Sequence, residues 1–134
     1  MTAGMPQQVV LDTNVFVSGM LAAKESPPVQ LIRFVQTGFL KIFYDWRILA
    51  EYHEVMARPA FGFNPMTLDN LFEMIESYGF DVDPFHVDIE FLDETDRPFY
   101  EVAKLCFCPL VTGNLKHFPA EDWIMSPAQY LEGL

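Results

Sequence analysis

Short apolar runs alternate with segments of helical periodicity along nearly the whole chain, and this alternation limits the folds that the chain can adopt. The apolar runs predict strands at residues 9–12, 40–44, 85–89, 109–112 and 122–125. The segments between them predict helices at residues 14–23, 26–37, 45–57, 67–78 and 95–107, followed by a short helix at the C-terminus. Strands that alternate with helices form a mostly parallel sheet with helices on both faces. The sequence therefore predicts a protein of the α/β class.

The length and apolar content of the chain are those of one compact domain. A chain of 134 residues with 51% hydrophobic residues can bury a sizeable core but is too short for two, so we expect a single domain covering residues 1–134. No apolar run approaches the ~20 residues that a membrane helix needs, and the N-terminus lacks a basic-then-apolar signal pattern. We therefore expect a cytoplasmic protein with no membrane partner, whose cysteines, Cys106 and Cys108, are reduced thiols.

The charge of the chain excludes one common kind of nucleic-acid-binding protein. The formal net charge is -11, and the eight lysine and arginine residues are scattered along the sequence. Proteins that bind nucleic acid through a broad basic surface rely on clustered Lys and Arg. If nucleic acid is the substrate, bound metal ions or a partner protein must supply the positive potential.

The first predicted strand ends on a carboxylate. Asp12 follows the apolar residues 9–11 and precedes Thr13 and Asn14. An ionised carboxylate beside a core is costly unless a partner, a cation or water compensates its charge. Parallel sheets bind ligands at the carboxyl ends of their strands, which is where Asp12 lies. Its alternative role is to cap the following helix or to make a turn.

Two further acids fall on predicted helices at positions that can face the sheet. At ~100° per residue, Glu51 lies at the border of the apolar stripe of the third helix, whereas Glu54 lies nearly opposite and should be solvated. Asp96 is in line with the buried face of the fifth helix. That face is predicted to consist of Phe99, Tyr100, Ala103, Cys106 and Phe107. Glu51 could instead form a surface ion pair, Asp96 could cap its helix, and Asp93 and Glu94 could assist Asp96 or be solvated.

A fourth polar group follows the predicted strand at residues 109–112. Thr112, Gly113 and Asn114 stand there; glycine permits a tight turn, and asparagine offers a carbonyl oxygen. An ordinary turn between a strand and a helix would explain this group by itself. Together, however, four polar groups from four distant segments lie where a parallel sheet presents its ligands.

In their order and spacing these residues resemble the motifs of the PIN-domain family, specifically its toxin-like subgroup from toxin–antitoxin systems. The motif segments are residues 11–16, 49–59, 93–103 and 111–119, so the resemblance runs nearly end to end. The chain departs from the family at Asn114, where the commonest residue is Asp. A neutral ligand contributes less charge for holding a second cation, so either the metal site is weaker or Asp93 makes up the deficit.

The resemblance implies a three-layer α/β/α fold with a central, mostly parallel sheet, and a metal-dependent endoribonuclease in which metal-activated water hydrolyses RNA to 5′-phosphate and 3′-hydroxyl ends. Asp12, Glu51 and Asp96 would then be catalytic and would bind Mg²⁺ or Mn²⁺, with Asn114 and Asp93 as further ligands. Oxygen ligands suit these ions, and clustered carboxylates need cations. Orienting or substrate-binding roles are expected for Thr13, Asn14, Ser18, Thr112 and His117. Plain structural roles remain the alternative for Ser18 and His117.

Two other functions fit parts of the sequence. A phosphatase of the haloacid-dehalogenase type uses a strand-end Asp as nucleophile and a second Asp two residues later as acid, but position 14 is Asn; a phosphorylated Asp12 would identify such an enzyme. A PIN scaffold weakened by Asn114 would bind RNA or a protein partner without cleaving it.

The aromatic residues suggest protein partners. They make up 15% of the chain and include Phe61 and Phe63, which lie between Pro59 and Pro65. Exposed aromatic side chains favour a homodimer or a groove for the hydrophobic segment of an antitoxin. The alternative is that they belong to the core.

Overall fold

A computed structural model describes residues 7–134 of the chain, so residues 1–6 of the predicted domain lie outside the described residues. The described residues form a five-stranded sheet in which every strand pairs in parallel with its neighbours. Six α-helices in the same residues accompany the sheet. The predicted three-layer α/β/α fold is confirmed.

The elements follow the predicted alternation. The strands are β1 (Gln7–Leu11), β2 (Leu40–Tyr44), β3 (Phe80–Asp81), β4 (Leu110–Val111) and β5 (Ile124–Met125). The helices are α1 (Thr13–Leu21), α2 (Pro27–Gln36), α3 (Trp46–Met56), α4 (Pro65–Tyr78), α5 (Arg97–Cys106) and α6 (Pro127–Glu132). Short 3-10 turns, Glu94–Asp96 and Leu115–His117, precede α5 and follow β4. Between residues 7 and 134, no helix has the length and apolarity needed to cross a membrane.

The order of the strands in the sheet is β3-β2-β1-β4-β5. From β1 the chain adds β2 and β3 on one side, and it then adds β4 and β5 on the other side, so the strand order reverses between β1 and β4. Open α/β sheets bind their ligands at the carboxyl ends of the strands beside such a reversal. Leu11 of β1 pairs with Val111 of β4. The residues that follow these two, Asp12 and Thr112, consequently stand side by side at the carboxyl edge.

The core lies against the central strand and fixes its end. Three successive residues of β1, Val9 to Leu11, are fully buried, as expected for a parallel strand covered on both faces. The buried ring of Tyr52 on α3 packs 5.0 Å from the ring of Phe16 on α1 and 6.2 Å from that of Phe99 on α5. Three helices thus meet next to the strand that carries Asp12.

The strand predicted at residues 85–89 is wrong. The strand that pairs with β2 at this edge of the sheet is β3, and residues 82–91 have no regular secondary structure. The backbone N–H of Val87 donates to Oε2 of Glu101 at 2.7 Å, the carbonyl of Val87 accepts from Arg97, and the carbonyl of Ile89 accepts from Arg97 at 2.6 Å. Side chains of α5 therefore take the backbone groups that a neighbouring strand would otherwise use.

The buried face of α5 also differs from the prediction. Phe107, expected to be buried, is 97% exposed, because it ends the helix in the left-handed conformation with φ 52° and turns away from the core. Glu101, which the sequence pattern did not single out, is only 2% exposed. Its Oε1 lies 2.9 Å from a guanidinium nitrogen of Arg47, so a distant arginine balances the buried charge.

Gly79, between α4 and β3, is expected to tolerate no larger residue. A Cβ atom there would lie 2.3 Å from the carbonyl oxygen of Ile75 and 2.4 Å from that of Ile42, and neither backbone atom can swing aside. Gly79→Ala should therefore lower the free energy of unfolding by about 2–3 kcal/mol. The matched control is Gly133→Ala, whose Cβ would lie 3.6 Å from its nearest neighbour. Urea denaturation of both variants tests this; equal midpoints would contradict the close approach at Gly79.

Candidate active site

Asp12 occupies the carboxyl end of the central strand and is held by hydrogen bonds from the first turn of α1 and from the residue that follows β4. It is only 5% exposed. Its Oδ2 accepts a hydrogen bond from Oγ1 of Thr112 at 2.8 Å and one from Nδ2 of Asn14 at 3.3 Å. Its side chain makes no capping hydrogen bond to α1. The carboxylate is therefore positioned by the sheet edge rather than used to start the helix.

The first turn of α1 and the turn that follows β4 are joined by a further hydrogen bond. The fully buried Thr112 also accepts the backbone N–H of Asn114 at 2.9 Å. The backbone N–H of Gly113 donates to Oδ1 of Asn14 at 3.0 Å. Asn14 thus contacts both Asp12 and the turn after β4, and Thr112 joins Asp12 to that same turn, so the direction of the Asp12 carboxylate is fixed from two sides.

Glu51 faces the first turn of α1 from α3. It is half-buried, and its Oε2 accepts a hydrogen bond from the hydroxyl of the buried Thr13. Glu54, one turn later, is exposed and pairs with Arg58 at 2.9 Å. The two glutamates of α3 therefore have the different environments that their positions on the helix predicted.

Asp96 completes the group from the start of α5. Its Oδ2 is buried and has no hydrogen-bond partner among residues 7–134. Nδ1 of His117 lies 3.3 Å from the same oxygen, close enough for a charge interaction but without the geometry of a hydrogen bond. Asp96 does not cap α5 with its side chain. An unsatisfied buried carboxylate oxygen requires an explanation, and a bound cation or donor would supply one.

Burial and mutual repulsion oppose ionisation of the three carboxyl groups. Burial raises the pKa of Asp12 to about 6, and the charge of Asp96 adds to this increase. The pKa of Glu51 is raised by burial and further by Asp12. Burial also raises the pKa of Asp96, and Glu51 adds to that increase although His117 opposes it. Each acid therefore experiences the charge of another, which shows that three distant segments of the chain bring their carboxylates into one region.

The group has the chemistry of a magnesium site but is not a preformed one. Among residues 7–134, no three His, Cys, Asp or Glu side chains are arranged to hold a metal ion. Mg²⁺ is usually bound through only one or two carboxylates, with water and substrate phosphates completing its shell. Asp12 and Asp96 fit that requirement because both offer carboxylate oxygens as metal ligands. Asp12 has no ion pair among residues 7–134, and Oδ2 of Asp96 accepts no hydrogen bond there.

The remaining residues named from the sequence differ in their proximity to the acids. Asp93 is exposed, and its Oδ1 accepts from the backbone N–H and the hydroxyl of Thr95 at 3.0 and 2.8 Å. Its charge still contributes to the pKa of Asp96. Asn114 is exposed, and its backbone contacts Thr112. Ser18 is exposed on α1, and no hydrogen bond within the described range connects it to the acids.

Sequence reasoning missed the contribution of Tyr52 to this site. Its hydroxyl donates a hydrogen bond to the backbone carbonyl of Leu11, the residue before Asp12, and the whole side chain is buried. A buried tyrosine needs a partner for its hydroxyl, and Tyr52 directly follows Glu51 in the sequence. That neighbourhood is the signal that could have identified it as the residue that fixes α3 to the end of β1.

Comparison with known proteins gives one match. The family model described as PIN_3: PIN domain matches residues 8–116, which include Asp12, Glu51, Asp96 and Asn114. Neither the curated proteins nor the solved structures contain a match to the chain.

Proposed function

The chain belongs to the PIN domain family, and from this premise we propose that it is a metal-dependent endoribonuclease, the toxin of a toxin–antitoxin pair in the cytoplasm. PIN domains are generally nucleases. The observation that carries the proposal is the placement of three carboxyl groups near the end of β1: Thr112 binds Asp12, Thr13 binds Glu51, and Oδ2 of Asp96 has no hydrogen-bond donor among residues 7–134. Carboxylates held near one another repel, and a bound cation would relieve that repulsion.

The proposed roles follow from the contacts of each residue. Asp12 and Asp96 would hold the Mg²⁺ or Mn²⁺ ion, with Glu51 beside them. When bound, such an ion supplies a lowered pKa for water and compensation of the charge on the phosphoryl oxygens. Thr112 and Asn14 hold the Asp12 carboxylate in one orientation, and burial shields it from bulk water. The Asp12 carboxylate is therefore already oriented before a substrate binds.

The reaction is a direct hydrolysis. Water attacks the phosphorus opposite the 3′-oxygen, the bond from phosphorus to that oxygen breaks, and the products carry 5′-phosphate and 3′-hydroxyl ends. No side chain acts as nucleophile. Because Asn114 is neutral and Asp93 is exposed, the local charge favours one divalent ion over two.

Of the two alternative functions, one has no support and the other is favoured by one observation. A haloacid-dehalogenase-type phosphatase has no support, since the matched family is the PIN domain and position 14 is Asn. A PIN scaffold that only binds RNA or protein is favoured by one observation, the lack of a preformed three-residue metal group between residues 7 and 134. An antitoxin or a second copy of the chain remains the proposed protein partner, supported by the exposed rings of Trp46, Phe85 and Phe107. Phe61 and Phe63 are partly buried, and Phe63 packs against the core.

Cleavage of mixed RNA in Mn²⁺ or Mg²⁺, and its loss in EDTA, tests the ribonuclease proposal. Glu51→Gln should slow cleavage by ~10-fold or more, as expected for a group that supports a metal site. Glu54→Gln is the matched control on the same helix and should cleave at the wild-type rate, because Glu54 faces solvent. Cleavage that persists in EDTA, or equal rates for the two variants, would contradict the proposal. Mn²⁺ binding without any cleavage would favour the scaffold.

A further inference from the structure

Lys116 lines the same cavity as Thr112 and His117, which contact Asp12 and Asp96, but it takes no part in the hydrogen bonds that position the acids. It is exposed in the turn Leu115–His117 that follows β4, and the next residue, His117, reaches Asp96. We propose that Lys116 binds a phosphate of the RNA strand adjacent to the cleaved bond and so positions the strand across the acids. This inference rests on the proposed ribonuclease function.

Most cations of the chain are already engaged. The four arginines form ion pairs with carboxylates, and the ammonium group of Lys104 lies 5.7 Å from the ring centre of Tyr100. None of the four lysines forms an ion pair within the part of the chain that the structure describes, and three of them, Lys24, Lys41 and Lys116, also contact no aromatic ring there. Only an unpaired cation is free to bind a phosphate without first losing a carboxylate partner.

The three lysines without such contacts lie at different edges of the sheet. Lys41 is the second residue of β2 and therefore lies near the amino edge. Lys24 follows α1, which begins at the carboxyl end of β1 and returns toward the amino edge before β2 begins. Lys116 follows β4 at the carboxyl edge. Of the three, it is the one that shares an edge with Asp12 and Asp96.

The surface around Lys116 has room for a nucleotide on both sides of its side chain. A cavity of about 410 Å³ is lined by Lys116 together with Thr112, His117 and Ser126, so it adjoins the residues that contact Asp12 and Asp96. A second cavity of about 510 Å³ is lined by Lys116 and by apolar residues that include Phe118 and Ile124. A phosphate in the first cavity would meet the ammonium group, while the second offers an apolar surface to the attached sugar and base.

The overall charge of the chain gives such a contact a role. A chain with net charge -11 repels a polyanion, and phosphate binding depends on local cations. Lysine serves as a mobile point charge with three donors, which suits a single phosphate. A cation at the edge of the acidic site can therefore hold the strand while the carboxylates bind the divalent ion.

The salt dependence of RNA binding tests this proposal. The probe is a short, fluorescein-labelled single-stranded RNA of mixed sequence, titrated at constant Mg²⁺ in an Asp12→Asn background so that the RNA stays intact. Lys116→Gln should weaken binding and make the slope of log K against log salt shallower by about 0.7, the value for one phosphate contact on a single strand. Lys116→Arg should retain the slope. Lys24→Gln, which removes the same charge at the other edge, should match the background protein.

The active enzyme gives a second measurement. With Asp12 intact, Lys116→Gln should raise KM several-fold and leave kcat nearly unchanged, since the residue binds the strand and does not contact the reacting atoms. An unchanged salt slope for Lys116→Gln, or an equal change for Lys24→Gln, would overturn the proposal even if RNA is cleaved normally. A slope change at Lys116 alone would support the phosphate contact even if no cleavage is detected, and the ribonuclease proposal would then fail by itself.

Discussion

Asp12→Asn is expected to reduce the rate of RNA cleavage at least ~100-fold, the scale on which removing one electrostatic group from an active site slows catalysis, and at the same time to stabilise the fold. The amide can keep the hydrogen bond that Thr112 donates at 2.8 Å, so the loop geometry is preserved. It cannot supply the negative charge that a divalent ion requires. Cleavage of mixed RNA in Mn²⁺, compared with wild type, measures the loss of activity.

The stability change follows from the pKa of Asp12. Burial raises this pKa from 3.8 to about 6 in the folded protein, so the folded state binds the proton more tightly than the unfolded state. The resulting cost is absent well below pH 3.8, grows as the pH rises, and is complete above about 6. At 1.36 kcal/mol per pH unit, ionised Asp12 destabilises the fold by up to about 3 kcal/mol.

The matching experiment is urea denaturation of wild type and Asp12→Asn in EDTA across this pH range. The advantage of the variant in free energy of unfolding should be near zero at the acidic end and largest near neutral pH. A variant that is inactive and also less stable at neutral pH would indicate damage to the fold instead. A variant with wild-type cleavage would remove Asp12 from the proposed mechanism.

Arg47→Met should lower the free energy of unfolding by about 3–5 kcal/mol, the usual cost of removing one partner from buried ion pairs. Its guanidinium group lies 2.7 Å from Oδ2 of Asp45 and 2.9 Å from Oε1 of Glu101. Both carboxylates are buried. Methionine can replace the apolar part of the arginine side chain, but it leaves Asp45 with no ion pair among the described residues and Glu101 with Arg97, at 3.4 Å, as its remaining arginine.

Arg58→Met is the matched control for Arg47→Met. Arg58 forms a comparable ion pair with Glu54 at 2.9 Å, but both side chains are more than half exposed. Exposed pairs of this kind contribute about 0.3–0.5 kcal/mol. Equal denaturation midpoints for the two variants would show that burial of Asp45 and Glu101 adds nothing to the value of the arginine.

The sequence predicted those parts of the structure that depend on local pattern. Apolar periodicity located four of the five strands and five helices to within about two residues of their bounds, and it indicated the sixth helix at the C-terminus without bounds. The position of Asp12 at a strand end was also readable, because a carboxylate directly after an apolar run signals the carboxyl edge of a parallel sheet. The direction of Glu51 and Glu54 followed from helical geometry alone.

The parts that sequence reasoning missed depend on contacts between distant residues. Phe85, Val87 and Ile89 alternate like a strand, but their segment is held by Glu101 and Arg97 of α5. Burial of Glu101 depends on an arginine from α3, which no local pattern reveals. Thr112 was named from the family resemblance as an orienting or substrate-binding residue, but its hydrogen bond to Asp12 depends on the pairing of β4 with β1, which no local pattern specifies.

That last contact has a consequence for the chain during its synthesis. Asp12 leaves the ribosome early, whereas Thr112 and Gly113, which hold Asp12 and Asn14 in place, are translated a hundred residues later. A nascent chain that ends before β4 therefore lacks the hydrogen bonds that orient the Asp12 carboxylate. Under the proposed function, cleavage of RNA would therefore require that β4 and the turn after it have been synthesised.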